Sequence, residues 1–213
     1  MENASFTLLA LFKMGGIFMW PLLFFSIATL SIAVEKALYL LRHNLRMEDL
    51  AGKLRSYIQA DDFSGAEAYL SELVKRRIGA RILLTLVKRR NLPEHQLERA
   101  VESEASGCVN FLESGFNFLT ALGSLSPLTG FLGTVSGMIG AFKSIAEATE
   151  VNAQLVANGI YEALITTVFG LIIAIVAMIA HSLFAHAVDG FAAEAERTCS
   201  DLIIEISSSQ RDA

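Results

Sequence analysis

Charge is what this 213-residue sequence has least of: 18% of its residues are Asp, Glu, Lys or Arg, against roughly 25% in an average soluble domain. Too few charges are present to coat an ordinary globule. Those present are unevenly spread, with 24 of the 39 falling between Lys36 and Glu113. Cysteine is scarce too. Cys108 and Cys199 stand far apart and neither belongs to a CxxC pair, which excludes a disulfide framework and reads as two reduced, structural thiols. The four histidines lack ligand spacing, and His181 and His186 fall on nearly opposite sides of a helix, so no metal site and no cofactor are expected. A basic surplus is also missing. The net charge of −5 and pI near 5.4 exclude nucleic acid as the main partner, because phosphate neutralisation needs a basic face. What is abundant is apolar: 53% of residues are hydrophobic and the mean hydropathy is +0.48. That excludes a disordered chain and points away from a single soluble domain, towards an all-α multi-pass membrane protein.

Three uncharged runs fit membrane spans. Gly15 to Val34 is 20 residues long between Lys13 and Glu35, enough to cross a hydrocarbon core of ~30 Å at 1.5 Å per residue. A secretory signal peptide competes here, since Ser31-Ile32-Ala33 resembles a small-x-small cleavage site. The run exceeds the usual apolar region of roughly 7–15 residues, so a retained helix is expected. The second run covers Ser114 to Phe142, and the third Ala163 to Val188, reaching back to Val151 if Glu162 is tolerated. Val188, Phe191, Ala192, Ala195, Cys199, Leu202, Ile203 and Ile206 then recur at three- and four-residue intervals, predicting an amphipathic continuation to about Ser207.

The segment from Arg42 to Glu113 holds 12 of the 17 basic residues, which makes it cytoplasmic by the positive-inside rule. Three spans then put the N-terminus outside and the C-terminus in the cytoplasm. Apolar faces at Leu50, Leu54, Tyr57 and Ile58, at Phe63, Ala66, Tyr69, Leu70 and Leu73, and at Ile82, Leu83, Leu86 and Val87 predict helices. Pro93 suits the first turn of another, expected to run unbroken through Ala100 and Phe111 into the second span. The triplets Lys75-Arg76-Arg77 and Lys88-Arg89-Arg90 are either solvated helix faces or contacts to anionic lipid headgroups.

The second span is rich in small and hydroxyl-bearing residues, among them Gly130, Gly133, Thr134 and Gly137. Gly133 and Gly137 form a GxxxG pair, a device for close helix approach in membranes. Pro127 lacks an N–H and should kink the helix or free a carbonyl, which in lipid must find another partner. The third span places Ala163, Thr167, Gly170, Ala174, Ala177 and His181 along one stripe, opposite a greasy remainder. Two such faces predict either a dense helix contact or the wall of a narrow polar lumen. Glu162 decides between them. An ionisable carboxyl within an uncharged run costs a few kcal/mol on insertion scales and marks an ion or proton path unless it is hydrated at the interface. One acid on three spans, with no internal repeat, suggests assembly of several copies around an axis.

The stretch Phe118 to His186 closely resembles the ExbB/TolQ proton-channel proteins, relatives of the flagellar stator protein MotA. Their pattern GxxSPxxGxxGTVxGxxxxF is matched at Gly123, Ser126, Pro127, Gly130, Gly133, Thr134, Val135, Gly137 and Phe142. Their pattern GIxEALxxTxxGLxxAI is matched at Gly159, Ile160, Glu162, Ala163, Leu164, Thr167, Gly170, Leu171, Ala174 and Ile175. Three spans rather than four favour ExbB/TolQ over MotA, and within the pair the resemblance is taken as closest to ExbB. Asn158 stands where a proline often precedes the second pattern, and Ser136 replaces a common tryptophan.

The resemblance implies an inner-membrane homopentamer around a central pore that holds the single transmembrane helices of an ExbD- or TolR-like partner, each bearing an essential Asp. It implies that Thr134, Thr167 and Glu162 line the proton pathway, with Pro127, Gly130, Gly133, Gly137, Gly170 and Ala174 packing or kinking the helices. The transported ion is H+, no enzyme activity is expected, and the work passes to TonB or a TolA-like protein, with lipid as the other contact. The resulting division is a periplasmic N-terminus at 1–14, transmembrane helices at 15–41, 114–143 and 155–188, and a cytoplasmic helical region at 42–113. A periplasmic turn takes 144–154, and a cytoplasmic amphipathic helix and tail take 189–213. A Tol-type envelope-maintenance subunit, a non-conducting scaffold and a channel that conducts alone stay open as alternatives.

Overall fold

The structure, a computed structural model, describes residues 12, 14–147 and 153–211. Most of the stretch read as 1–14, and residues 148–152 of the turn read as 144–154, lie outside the described residues. Helices follow one another as α1 (Met19–Arg42), α2 (Glu48–Gln59), α3 (Phe63–Leu73), α4 (Ile78–Lys88), α5 (Glu94–Glu113), α6 (Phe116–Glu147) and α7 (Ala153–Arg211). No strand occurs among the described residues. Three of the helical stretches are long and apolar enough to cross a membrane, so the chain is an all-α, multi-pass membrane protein. It divides into two compact units, one of residues 1–34 and 115–182, the other of 35–114 and 183–213.

The second unit holds the helices richest in charge. Its core is made by the faces the periodicity marks: Leu50, Leu54 and Ile58 on α2, Ala66 and Leu70 on α3, and Ile82, Leu83, Leu86 and Val87 on α4. Val188, Phe191, Ala195, Cys199, Leu202, Ile203 and Ile206 of α7 are buried as well. Asp62 caps α3 by accepting from the amide of Gly65 at 2.8 Å, satisfying one of the orphan donors of a helix start. Both cysteines are free and buried. The basic triplets are partly engaged inside the protein: Arg77 pairs with Asp49 at 3.4 Å and Lys88 with Glu67 at 3.4 Å, while Arg90 lies over the Phe63 ring.

The run from Pro93 into the second span is not one helix. Gly115 has φ +93°, a conformation only glycine adopts cheaply, and it separates α5 from α6. The end of α5 is closed by Ser114, whose hydroxyl donates to the Phe111 carbonyl at 2.7 Å and accepts from Lys36 Nζ at 3.0 Å.

In the first unit, α1 starts at Met19 rather than at residue 15, because Gly15 and Gly16 form a turn with Gly16 at φ +67°. Met19 and Leu22 of α1 are buried against Ile165 and Ile173 of α7, with Phe25 and Phe169 beside them. The other side of α1 shows Trp20, Phe24, Ile27 and Leu30 at the surface. On α7, Leu171, Ile172, Ile175, Val176 and Ile179 are exposed. Apolar side chains at this density on the outside suit hydrocarbon or another apolar surface rather than water.

Candidate functional site

The small residues of α6 and α7 meet. Gly123, Ser126, Gly130 and Gly133 form the buried face of α6, and Ala163, Thr166, Gly170, Ala174 and Ala177 form that of α7. The approach is close enough to need glycine. A Cβ on Gly130 would stand 2.7 Å from the Thr166 carbonyl oxygen, and one on Gly170 would stand 2.5 Å from that of Ser126. One on Gly137 would meet the Ala163 Cβ at 3.0 Å, and one on Gly133 would overlap the Thr166 hydroxyl. Ala174 faces the same seam, its carbonyl 3.9 Å from where a Gly123 Cβ would sit. Backbones brought this near gain dispersion along their whole length, which is how helices associate where lipid removes the hydrophobic drive.

Hydroxyls stitch the seam. Thr167 Oγ1 donates to the Gly130 carbonyl at 3.1 Å. Thr166 Oγ1 lies within donating distance of the same oxygen, at 3.2 Å, and of the Ala163 carbonyl, at 2.8 Å. Thr134, one turn beyond Gly130, donates instead to Phe131 of its own helix at 2.6 Å. Pro127 stays inside a continuous α6. The Ser126 hydroxyl next to it donates to the Leu122 carbonyl at 2.6 Å. Of the pattern residues, Thr167 thus crosses between helices while Thr134 bonds locally.

Glu162 is elsewhere on the helix. Five residues separate it from Thr167, about 140° around an α-helix, so within one protomer Glu162 does not join the two threonines. It is exposed on the surface of the protomer, and its carboxylate lies against Gly16 in the turn that precedes α1. Two participants escaped the reading of the sequence. Thr166 carries the buried half of the hydroxyl pair, a possibility signalled by the Thr166-Thr167 doublet. Gly16 was signalled by the paired glycines at the start of an otherwise bulky span.

The chain's similarity to known proteins covers this seam. The family model described as MotA/TolQ/ExbB proton channel family matches residues 69–197. "Biopolymer transport protein exbB1" of Vibrio cholerae is 30% identical over 189 residues, covering 86% of this chain and 81% of that protein. "Putative biopolymer transport protein ExbB-like 3" of Synechocystis is 30% identical over 172 residues, 80% of this chain and 81% of that protein. "Tol-Pal system protein TolQ" of Pseudomonas aeruginosa is 44% identical over 73 residues, 34% of this chain and 32% of that protein. With three apolar helices and a matched region covering more than half of its length, this chain is a membrane subunit of the MotA/TolQ/ExbB proton channel family.

Proposed function

We propose that this chain is the ExbB-type subunit of an inner-membrane proton motor that energises TonB-dependent transport across the outer membrane. Several copies, five by analogy with the family, surround a pore in which an ExbD-like partner presents its single helices. The N-terminus is periplasmic and the region 42–113 cytoplasmic, in line with its share of 12 of the 17 basic residues. The observation that carries the reading is the α6–α7 seam. Two helices locked through Gly130, Gly133 and Gly170 carry Thr134 and Thr167 together, while Glu162 sits on another side of α7.

The chemistry follows from placing an acid in a dry site. A neutral carboxyl in a pore needs a hydrogen-bond partner, and a charged one needs more. The single proton of each hydroxyl is engaged with a backbone carbonyl, Thr134 with that of Phe131 and Thr167 with that of Gly130. Each therefore offers a partner's protonated acid an acceptor oxygen, and holding the ionised acid requires the hydroxyl to leave its carbonyl and donate. Glu162 adds a group that shapes where the proton is held. One charge moved through 100 mV yields about 2.3 kcal/mol, so mechanical output requires successive protons.

The test is proton-motive-force-dependent uptake in cells lacking their own ExbB and complemented with this chain. Glu162→Ala and Thr167→Val each lower uptake while assembly is unchanged; full uptake in both variants removes these residues from the proton path. Proton flux in vesicles rises when the ExbD-like partner is added, and equal flux without it supports a self-sufficient channel instead. A TolQ-type output is the second reading, favoured by the higher local identity to the Pseudomonas aeruginosa protein. Rescue of envelope integrity without rescue of uptake would select it.

A further inference from the structure

Gly15 and Gly16 belong to neither matched pattern, yet contact defines both. Gly16 has φ +67°, in the left-handed region that other L-residues avoid. A Cβ there would also overlap Oε1 of Glu162, with the Glu162 Cδ only 3.1 Å away. A Cβ on Gly15 would meet Met19 Sδ at 2.7 Å and Ile165 Cγ2 at 3.3 Å. Met19 and Ile165 are members of the buried α1–α7 cluster, and the Met19 amide donates to the Gly16 carbonyl at 3.3 Å. The turn is therefore fixed from both sides, and its bare face is where the Glu162 carboxylate rests.

We propose that Gly16 is a positioning residue for Glu162: its side-chain-free backbone forms a seat for the carboxylate, so that the start of the first transmembrane helix sets where the third holds its acid. A glutamate side chain has several rotatable bonds, and an unseated one spreads its charge over many positions. A seat removes that freedom. The first amides of α1 are occupied by the turn itself, Met19 on the Gly16 carbonyl, Trp20 on that of Ile17 and Leu22 on that of Phe18, so the seat acts by close contact with the bare Gly16 backbone. The consequence for mechanism rests on the reading of Glu162 as part of the proton path, but the seat itself is tested separately.

The experiment is labelling of position 162 by dicyclohexylcarbodiimide in membranes, with the adduct quantified by mass spectrometry in assembled protein. Gly16→Ala changes the labelling rate about fivefold or more, the range expected when a modest contact is lost. In a Glu162→Asp background, where the carboxylate is withdrawn by one methylene, Gly16→Ala has no further effect on the rate, as a double-mutant cycle requires for a direct contact. Gly16→Asn, which tolerates the left-handed backbone, keeps the test alive if Gly16→Ala does not assemble, and it changes the rate in the same way. An unchanged rate in the assembled variant, or an equal change in the Glu162→Asp background, overturns the seat. Full uptake by Glu162→Ala would instead overturn the proton-path reading and leave the labelling result standing.

Discussion

Glu194 on α7 caps a helix that begins at the other end of the sequence: its Oε1 accepts from the Met47 amide at 2.7 Å, and from that of Glu48 at 3.0 Å. The residue at the cap position of α2, Met47, has no side chain able to do this. A carboxylate at a helix start satisfies orphan amides and complements the helix dipole. Arg55, one face further along α2, pairs with Asp201 and Glu205 of α7, both at 3.5 Å. These pairs are partly exposed and contribute little singly, so the cap is the stronger tie.

Glu194→Ala is expected to destabilise the charged unit by about 1 kcal/mol, the usual cost of losing a cap. Glu194→Gln keeps part of it. Hydrogen exchange at the amides of residues 47 and 48 checks this directly. Unchanged protection in Glu194→Ala would mean that the cap contributes nothing.

Substitutions along α6 divide by what the added methyl meets. Gly130→Ala drives a Cβ into the backbone of Thr166 and Thr167, and it is expected to lower stability by about 1–3 kcal/mol. Gly140→Ala meets nothing within 4 Å in the protomer and gains helix propensity. Thermal unfolding in detergent should rank Gly130→Ala well below the parent and Gly140→Ala level with it. If Gly140→Ala assembles poorly while its protomer stays folded, that face is covered by a second copy.

Thr166 and Thr167 reach the same carbonyl of Gly130. Removing either hydroxyl leaves that oxygen a partner, so Thr166→Val and Thr167→Val each cost about 0.6 kcal/mol, and the double variant more than their sum. Uptake separates their roles. Thr167→Val is expected to lose uptake beyond its effect on stability and Thr167→Ser to keep it, whereas Thr166→Val tracks stability alone. Parallel losses in Thr166→Val and Thr167→Val would reduce Thr167 to packing.

Burial pushes the Cys199 thiol up to about 12, and burial also raises Cys108. Native protein at neutral pH should therefore resist maleimide at both positions, and react at both once denatured. For a thiol raised from 9 to about 12 on folding, the unfolded chain ionises first. Stability is thus complete below about pH 9 and declines as pH rises towards 12. Cys199→Ser or Cys199→Ala flattens that alkaline decline, measured as the unfolding midpoint against pH.

Faces were legible in the sequence because burial follows the helix period. The stripe of Ala163, Gly170, Ala174 and Ala177 and the run from Val188 to Ile206 are buried much as their spacing predicts. Particular partners were not legible. Gly115 reads as one more packing glycine in a span full of them, and only its φ of +93° reveals a helix break. Adjacent residues on a helix point about 100° apart, so choosing Thr166 or Thr167 for the seam needs the register of α6 against α7. The tie of Glu194 to Met47 crosses 147 positions, and the contact of Glu162 with Gly16 joins the third span to the first. Neither leaves a local pattern in sequence.

The glycine seam also limits how the molecule can move. Sliding or rolling α6 along α7 would drive Gly130 and Gly170 off the carbonyls they nestle against and force side chains into gaps that do not admit even a methyl group. The stretches of α6 and α7 packed along this seam must therefore move together. Motion between helices is left to other surfaces, such as the outer sides of α1 and α7, where Trp20, Phe24, Ile172 and Ile179 are exposed and no backbone is locked against a neighbour.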